Sequence, residues 1–354
     1  MLVHGRPRIV FTAITVLLLL SRVQTRPPDD SARTFLAASF GVTSADLARI
    51  DAGQVFSRTL EATDRREVST LGIVRIRITP EFYVEQLGDI ASFKRDAAVL
   101  QIGTFGDRPD LQNVERLTLD ESDIGSLREC QVGKCGVQLS ADAIERFRED
   151  VDWRRSDASR QANSLMRRVL VEYVTAYLAG GAALKYADRS EPLDLDREFA
   201  SLIESKGPGW QHFPRLLRHL VEYPAGATAS IADQVYWSKE KVGRRTVVSV
   251  THLAVAGATG NSPAEYAIGS KQIYGSHYFD ASLGLTVLVR DRAAAAPVTY
   301  LVYFNRSRVD VFRGLFGGIT RRVVTSRARS TVSDQLERMQ GTLERQFAGA
   351  AQPY

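Results

Sequence analysis

The chain has 354 residues, of which 25% are charged and 44% hydrophobic, a composition typical of a globular protein and not of a disordered one. Four of its 46 basic residues lie in the first 26 positions, where no acidic residue occurs, so the rest carries 42 basic against 41 acidic residues, a net charge of +1. A nearly neutral body argues against a protein that coats nucleic acid, and nucleic acid is not a predicted partner.

Residues 1–26 predict an export segment. Arg6 and Arg8 precede a run of twelve residues, 9–20, that is almost entirely apolar. A helix of that length extends about 18 Å, short of the roughly 30 Å hydrocarbon core, so a signal peptide fits better than a membrane-spanning helix. An uncleaved N-terminal anchor is the alternative, because no Ala-x-Ala cleavage pattern follows. The protein is therefore predicted to be exported, to the periplasm or the medium if its source is bacterial.

Residues 27–66 predict a helical lead-in, with Ser44 as the N-cap of one helix. Residues 67–106 predict the first strands and helix of a sheet. Apolar and basic residues alternate over 73–78, which is typical of a strand with one buried face. Pro80 ends that strand, a helix follows, and residues 99–105 predict a second strand.

Residues 107–231 predict a cysteine turn followed by a largely helical insertion. Cys130 and Cys135 are the only two cysteines of the chain. In an exported protein such a pair most simply forms a local disulfide; a redox pair or half a metal site is the alternative, although the spacing is not Cys-x-x-Cys. Ser140 is predicted to cap one helix, and a longer helix begins at Asp157 or Ser159 and ends near residues 180–181.

Residues 232–354 predict long antiparallel strands and a C-terminal helix. A hairpin turn is predicted over residues 241–243, residues 272–291 are interpreted as one continuous strand, and residues 297–310 supply another. A helix is then expected over 311–347, because apolar residues recur at steps of three and four. The predicted fold class is α+β, an antiparallel sheet that grips a long C-terminal helix.

The last third resembles the START-like, helix-grip superfamily of ligand-binding proteins. Residues 300–344 (YLVYFNRSRVD through GTLE) resemble the last strand, glycine-containing bend and closing helix of such domains, and residues 72–93 resemble their opening strand and helix. The chain also resembles a family of exported bacterial proteins of unknown function, and this resemblance implies no mechanism. The helix-grip resemblance implies a curved sheet over an apolar cavity that binds a lipid, sterol or aromatic molecule.

Two histidines on apolar strand faces are the main candidates for a site in that cavity. His252 and His277 could orient the polar end of a ligand, or act as acid and base near neutral pH. The candidate ligand-binding residues are His252, His277, Tyr274, Tyr278 and Asn305. For each histidine, a hydrogen-bonded core residue is the competing interpretation.

A catalytic interpretation would use His277, His252 and Asp280. A local triad of Ser276, His277 and Asp280 is not expected, since strand alternation points neighbouring side chains to opposite faces. A metal site would need a third ligand such as Glu240 or Asp280, and no ligand spacing is diagnostic. No metal or cofactor is therefore predicted.

An arginine-rich segment follows the last predicted strand. Residues 306–329 contain seven arginines and one acid. They indicate either a solvated helix face, balanced by the acidic region 110–150, or contact with an anionic group such as a ligand carboxylate or phosphate or the headgroups of a membrane surface. The candidate anion-contacting residues are Arg306, Arg308, Arg321 and Arg322.

These observations predict an exported protein that binds a hydrophobic small molecule or lipid without turning it over. An enzyme on the same scaffold, a hydrolase or cyclase that uses a cavity histidine, is the first alternative. A structural or interaction protein of the cell envelope is the second.

Overall fold

The computed structural model describes residues 31–62, 64–181, 184–205, 207–257, 262–310 and 317–350, without the side chains of 317–320 and 322. The export segment predicted for residues 1–26 lies outside these ranges. Within them, no helix is both long and apolar enough to cross a membrane.

The strands form one large antiparallel sheet and one short ribbon. In chain order they are β1 (Phe56–Leu60), β2 (Glu67–Ile76), β3 (Val99–Phe105), β4 (Lys185–Tyr186), β5 (Leu193–Asp194), β6 (Ile231–Val242), β7 (Arg245–Gly257), β8 (Ala264–Gly275), β9 (Phe279–Arg290) and β10 (Thr299–Val309). The eight-stranded sheet has the order β1-β2-β10-β9-β8-β7-β6-β3, and β4 pairs with β5 separately. Strand β2, early in the chain, thus pairs with the last strand, β10, in one sheet.

The helices lie on both faces of this sheet. They are α1 (Ser31–Phe40), α2 (Ser44–Asp51), α3 (Pro80–Gly88), α4 (Ile90–Phe93), α5 (Glu121–Arg128), α6 (Ala141–Glu149), α7 (Ala158–Leu178), α8 (Leu195–Glu204), α9 (Pro214–Glu222) and α10 (Gly317–Ala350), with short 3₁₀ turns at Leu111–Val114 and Trp210–His212. Helices α3, α4 and α10 pack on one face, whereas α1, α2, α7, α8 and α9 pack on the other. The α+β prediction, with its long C-terminal helix and helical insertion, is confirmed.

The long helix α10 packs directly on β2. Val332, Leu336 and Leu343 are buried on its sheet-facing side. A Cβ at Gly72 of β2 would overlap the side chains of Leu336 and Val332, so helix and strand are in van der Waals contact at that point. The apolar cavity implied by the resemblance is therefore not found under this part of the helix, which is filled by core side chains.

The continuous strand predicted over residues 272–291 is wrong. Strand β8 ends at Gly275, residues 276–278 turn, and β9 begins at Phe279. Tyr278 has a φ of +67°, a left-handed backbone that a strand does not allow. The residue pattern predicted a strand here because the turn is as buried as a strand: Ser276 is fully inaccessible and His277 is 6% exposed.

Two local predictions in the lead-in also need correction. The N-cap of α2 is Thr43 and not Ser44, because the Thr43 hydroxyl accepts a hydrogen bond from the Asp46 backbone N–H in a capping box. Strand β1 lies within the segment predicted as helical. It is a short edge strand without a fully buried side chain, which gives a weak alternation signal.

Candidate functional site

An apolar groove lies between the end of α8 and helix α9, on the face of the sheet opposite α10. Its volume is about 470 Å³, within the usual range for small-molecule sites. The apolar lining consists of Ile203, Gly207, Trp210, Pro214, Leu217 and Val221, and the polar lining of Gln211, Arg218 and Glu222. The helical connection that forms the groove looked irregular in sequence because prolines interrupt it, and none of these residues was predicted to bind a ligand.

Trp210 separates this groove from a buried arginine. The indole is 4% exposed and meets the ring of Phe304 edge-on, with 5.4 Å between centroids. The Arg306 guanidinium lies over both rings, at 5.4 Å from Trp210 and 5.7 Å from Phe304. Arg306 is itself 3% exposed. One of the predicted anion-contacting residues therefore lies beneath the wall of the groove.

A second, polar cleft of about 480 Å³ opens beside β10. Its main cation, Arg308, is paired within the protein: Nη1 donates to Glu198 Oε2 at 2.6 Å and Nη2 donates to Glu67 Oε1 at 3.1 Å. Arg66 pairs similarly with Asp64 at 2.8 Å. The anions that Arg308 contacts are thus the carboxylates of the protein itself.

His252 belongs to a hydrogen-bonded cluster at one end of the sheet. His252 Nε2 lies 2.9 Å from Asp233 Oδ1, and His219 Nε2 lies 2.7 Å from the same oxygen. The hydroxyl of Tyr177 lies 2.8 Å from His252 Nδ1. The cluster ties α9, β6, β7 and α7 together. Little in the sequence indicated this cluster. Only Asp233 and His252 lie on paired strands, at neighbouring positions of one face, whereas His219 and Tyr177 lie on two different helices.

The ligand atoms of His219, Asp233 and His252 lie within 4.8 Å of one another, a spacing that could hold a metal ion. The positions of the protons on the His219 ring argue against a metal ion. The backbone N–H of Thr228 donates to His219 Nδ1 at 3.1 Å, so that nitrogen is bare and Nε2 carries the proton donated to Asp233. A metal at Nε2 would require a proton on Nδ1, facing another N–H. The cluster fits a closed hydrogen-bond network better.

Both ring nitrogens of His252 are engaged in the same network. Because Nε2 faces the Asp233 carboxylate, it carries the proton, and the bare Nδ1 accepts from the Tyr177 hydroxyl. Burial lowers the pKa of His252. Burial would raise the pKa of Asp233, but the hydrogen bonds from His252 and His219 outweigh it and lower that pKa. A histidine held in this way has no nitrogen available for a substrate proton.

His277 lies in a separate environment. Its Nε2 is 2.9 Å from Asp123 Oδ1 on α5, and both side chains are buried. Asp280 instead accepts from Arg189 Nη1 at 2.9 Å, and Ser276 Oγ accepts from the backbone N–H of Val248. The structure therefore does not bring Ser276, His277 and Asp280 together as a triad. Ser276, the neighbour of His277, contacts Val248, which lies four residues, or roughly 13 Å, from His252 along β7.

The other predicted residues are dispersed. Tyr274 is 2% exposed, and burial raises the pKa of its hydroxyl well above the usual value. Tyr278 sits in the tight turn, and Asn305, on the α10 face, donates to Ser282 Oγ at 3.4 Å. Arg321 is half-buried on α10, and the Arg322 side chain lies outside the described residues. Tyr274, Tyr278, Asn305 and Arg321 do not line either described cleft. The ligand-binding and anion-contacting roles of all five residues stay predictions.

The predicted disulfide between Cys130 and Cys135 is confirmed, with 4.4 Å between the two Cα atoms. It closes the turn that follows α5. The carbonyls of Ala187 and Asp188 accept hydrogen bonds from the backbone of Gly133 and Cys135, so the turn packs against the insertion.

Comparisons with known proteins give no relative: no protein-family model, no curated protein and no solved structure matches the chain. The helix-grip resemblance stays a proposal.

Proposed function

We propose that this protein is an exported binding protein for a hydrophobic small molecule or lipid, and that the ligand occupies the apolar groove between α8 and α9. The observation that carries the proposal is the lining of that groove. Six of its nine lining residues are apolar, counting Gly207, and they surround about 470 Å³ of space. Burial of an apolar ligand there would be driven by roughly 25 cal/mol for each Å² removed from water.

The groove differs from a patch of scattered surface residues in one respect. Leu217 and Trp210 belong to the same buried cluster as the sheet residues beneath them, so the floor is held in place by the core. Val221 is 37% exposed and forms part of the rim. A preformed floor with an open rim favours binding, because little side-chain entropy is lost when the ligand enters.

Export is supported by the disulfide, since such bonds persist in oxidising compartments. The alternative of a hydrolase or cyclase has less support. The ring nitrogens of His252 are both engaged by Asp233 and Tyr177, and His277 is buried against Asp123. We therefore propose binding without turnover.

The proposal can be tested with a neutral apolar fluorophore such as N-phenyl-1-naphthylamine. We expect saturable binding that is weakened about tenfold or more in Val221→Glu, which places a charge at the rim of the groove. Val132→Glu is the matched control, because Val132 is 49% exposed in the cysteine turn, away from the groove. Absence of saturable binding, or equal loss in both variants, would contradict the proposal.

A further inference from the structure

The guanidinium of Arg306 is buried without its usual hydrogen-bond partners. Its Nε and Nη1 atoms have none among the described residues. The nearest carboxylate oxygen, Glu67 Oε2, lies 3.7 Å from Nε, beyond hydrogen-bonding distance, and it lacks a partner as well. Buried charged groups are ordinarily hydrogen-bonded, because the loss of hydration is costly. Arg306 therefore has donors available for a molecule that reaches it.

A second orphan donor lies beside it. The Nε1 atom of Trp210 is buried and has no hydrogen-bond partner in the described part of the chain. Gly207, which lines the groove, adjoins this edge of the indole: a Cβ at position 207 would overlap Trp210 Nε1 and approach Phe304 Cζ at 2.9 Å. The indole edge and the Phe304 ring thus pack directly against Gly207, in the wall of the groove.

We propose that the ligand of the groove is an amphiphile with a carboxylate head, and that Arg306 and Trp210 Nε1 hold this head while the apolar body lies along α9. This inference rests on the proposed function of the groove and names the chemical class of its ligand. A carboxylate head accepts from the indole N–H and the guanidinium, which satisfies donors that the protein leaves unpaired.

The charges near Arg306 favour a singly charged head. The ion pairs linked to Arg306 among the described residues join three arginines, Arg66, Arg306 and Arg308, to three carboxylates, Asp64, Glu67 and Glu198. One carboxylate brings the set of charges from zero to −1, whereas a phosphate dianion brings it to −2. Burial lowers the pKa of Arg306, and a carboxylate in contact would oppose that effect.

The test compares an acid with its neutral ester. We use cis-parinaric acid and its methyl ester, two fluorescent probes with the same apolar chain. We expect the wild-type protein to bind the acid about tenfold or more tightly than the ester, since a charge-assisted hydrogen bond exceeds a neutral one by this order. In Arg306→Met the preference for the acid should disappear while the affinity for the ester is retained.

Trp210→Phe is the second variant, because it keeps an aromatic ring in the wall while it removes the indole N–H donor together with part of the ring system. It should weaken binding of the acid severalfold more than binding of the ester. Circular dichroism and the unfolding midpoint show whether each variant is folded. If Arg306→Met does not fold, the Trp210→Phe comparison alone decides the assignment.

The outcomes distinguish a failure of the carboxylate assignment from a failure of the proposed ligand binding in the groove. Equal affinity of the wild-type protein for acid and ester overturns the carboxylate head and leaves the groove intact. Binding of neither probe overturns both. A preference for the acid that survives both variants overturns the assignment to Arg306 and Trp210. A wild-type dimer that becomes monomeric in Val221→Glu would show that a second copy occupies the groove, which also overturns the proposal.

Discussion

Replacement of His277 with leucine tests whether this histidine serves the fold or a ligand. His277 Nε2 lies 2.9 Å from Asp123 Oδ1, and the two side chains are 6% and 3% exposed. Leucine nearly conserves the volume but leaves the Asp123 carboxylate buried without this partner. Removing one member of a buried pair typically costs about 3–5 kcal/mol, and we expect a loss of that size in the free energy of unfolding.

The double variant Asp123→Asn/His277→Leu should recover about 1 kcal/mol or more of this loss, because no buried charge then remains. Guanidinium unfolding followed by fluorescence of the three tryptophans measures all variants. His212→Leu is the control. His212 is exposed and hydrogen-bonded to the Ser39 hydroxyl at 2.9 Å, so its loss should stay within about 1 kcal/mol.

The reasoning would be refuted by a His277→Leu loss as small as that of the control, with no recovery in the double variant. A large loss of stability with unchanged probe binding would assign His277 to the fold and remove it from the candidate ligand-binding residues.

Two further predictions concern pH and packing. Because burial lowers the pKa of His252, the unfolded chain takes up a proton at this residue before the folded protein does, and the free energy of unfolding should fall as the pH drops below about 6.5. The hydrogen bonds from two histidines lower the pKa of Asp233. The free energy of unfolding should therefore fall again below about pH 4, where Asp233 is protonated in the unfolded chain first. The free energy of unfolding of the wild type and of His252→Gln, measured across this pH range, tests the prediction. The same slope of this free energy against pH near pH 6 in both proteins would contradict it. Gly72→Val should cost about 1–3 kcal/mol by overlap with Leu336, whereas Gly257→Ala, with open space around its Cβ, should cost much less; equal unfolding midpoints would refute the packing argument.

Much of the architecture was predictable because it depends on local chemistry. Alternation identified β2, β3, β6, β7 and β10, and apolar spacing of three and four identified α7 and most of α10. The disulfide followed from cysteine number and compartment. The error at residues 276–278 has the same origin: a buried turn shows the apolar content of a strand, and Tyr278 gives no glycine signal for its positive φ.

The candidate site was much less predictable. Arg306 was singled out from its place in an arginine-rich segment, but its burial under Trp210 depends on how a proline-interrupted connection folds over β10. His252 was singled out as well, yet its partners Asp233, His219 and Tyr177 were not. Polar side chains that meet across a helix–sheet interface have no period along the chain, so no sequence pattern marks them.

The sequence by itself determined most of the element types, the fold class and the disulfide, because backbone propensity and apolar spacing act over a few residues. Tertiary structure decided which side chains share an environment. His277 meets Asp123 across 154 positions of the chain, while Asp280, only three positions away, pairs with Arg189. Such choices are made when helices dock on the sheet and bring buried polar groups of distant segments into contact. The groove, and the position of Arg306 beneath its wall, arise only from this tertiary packing.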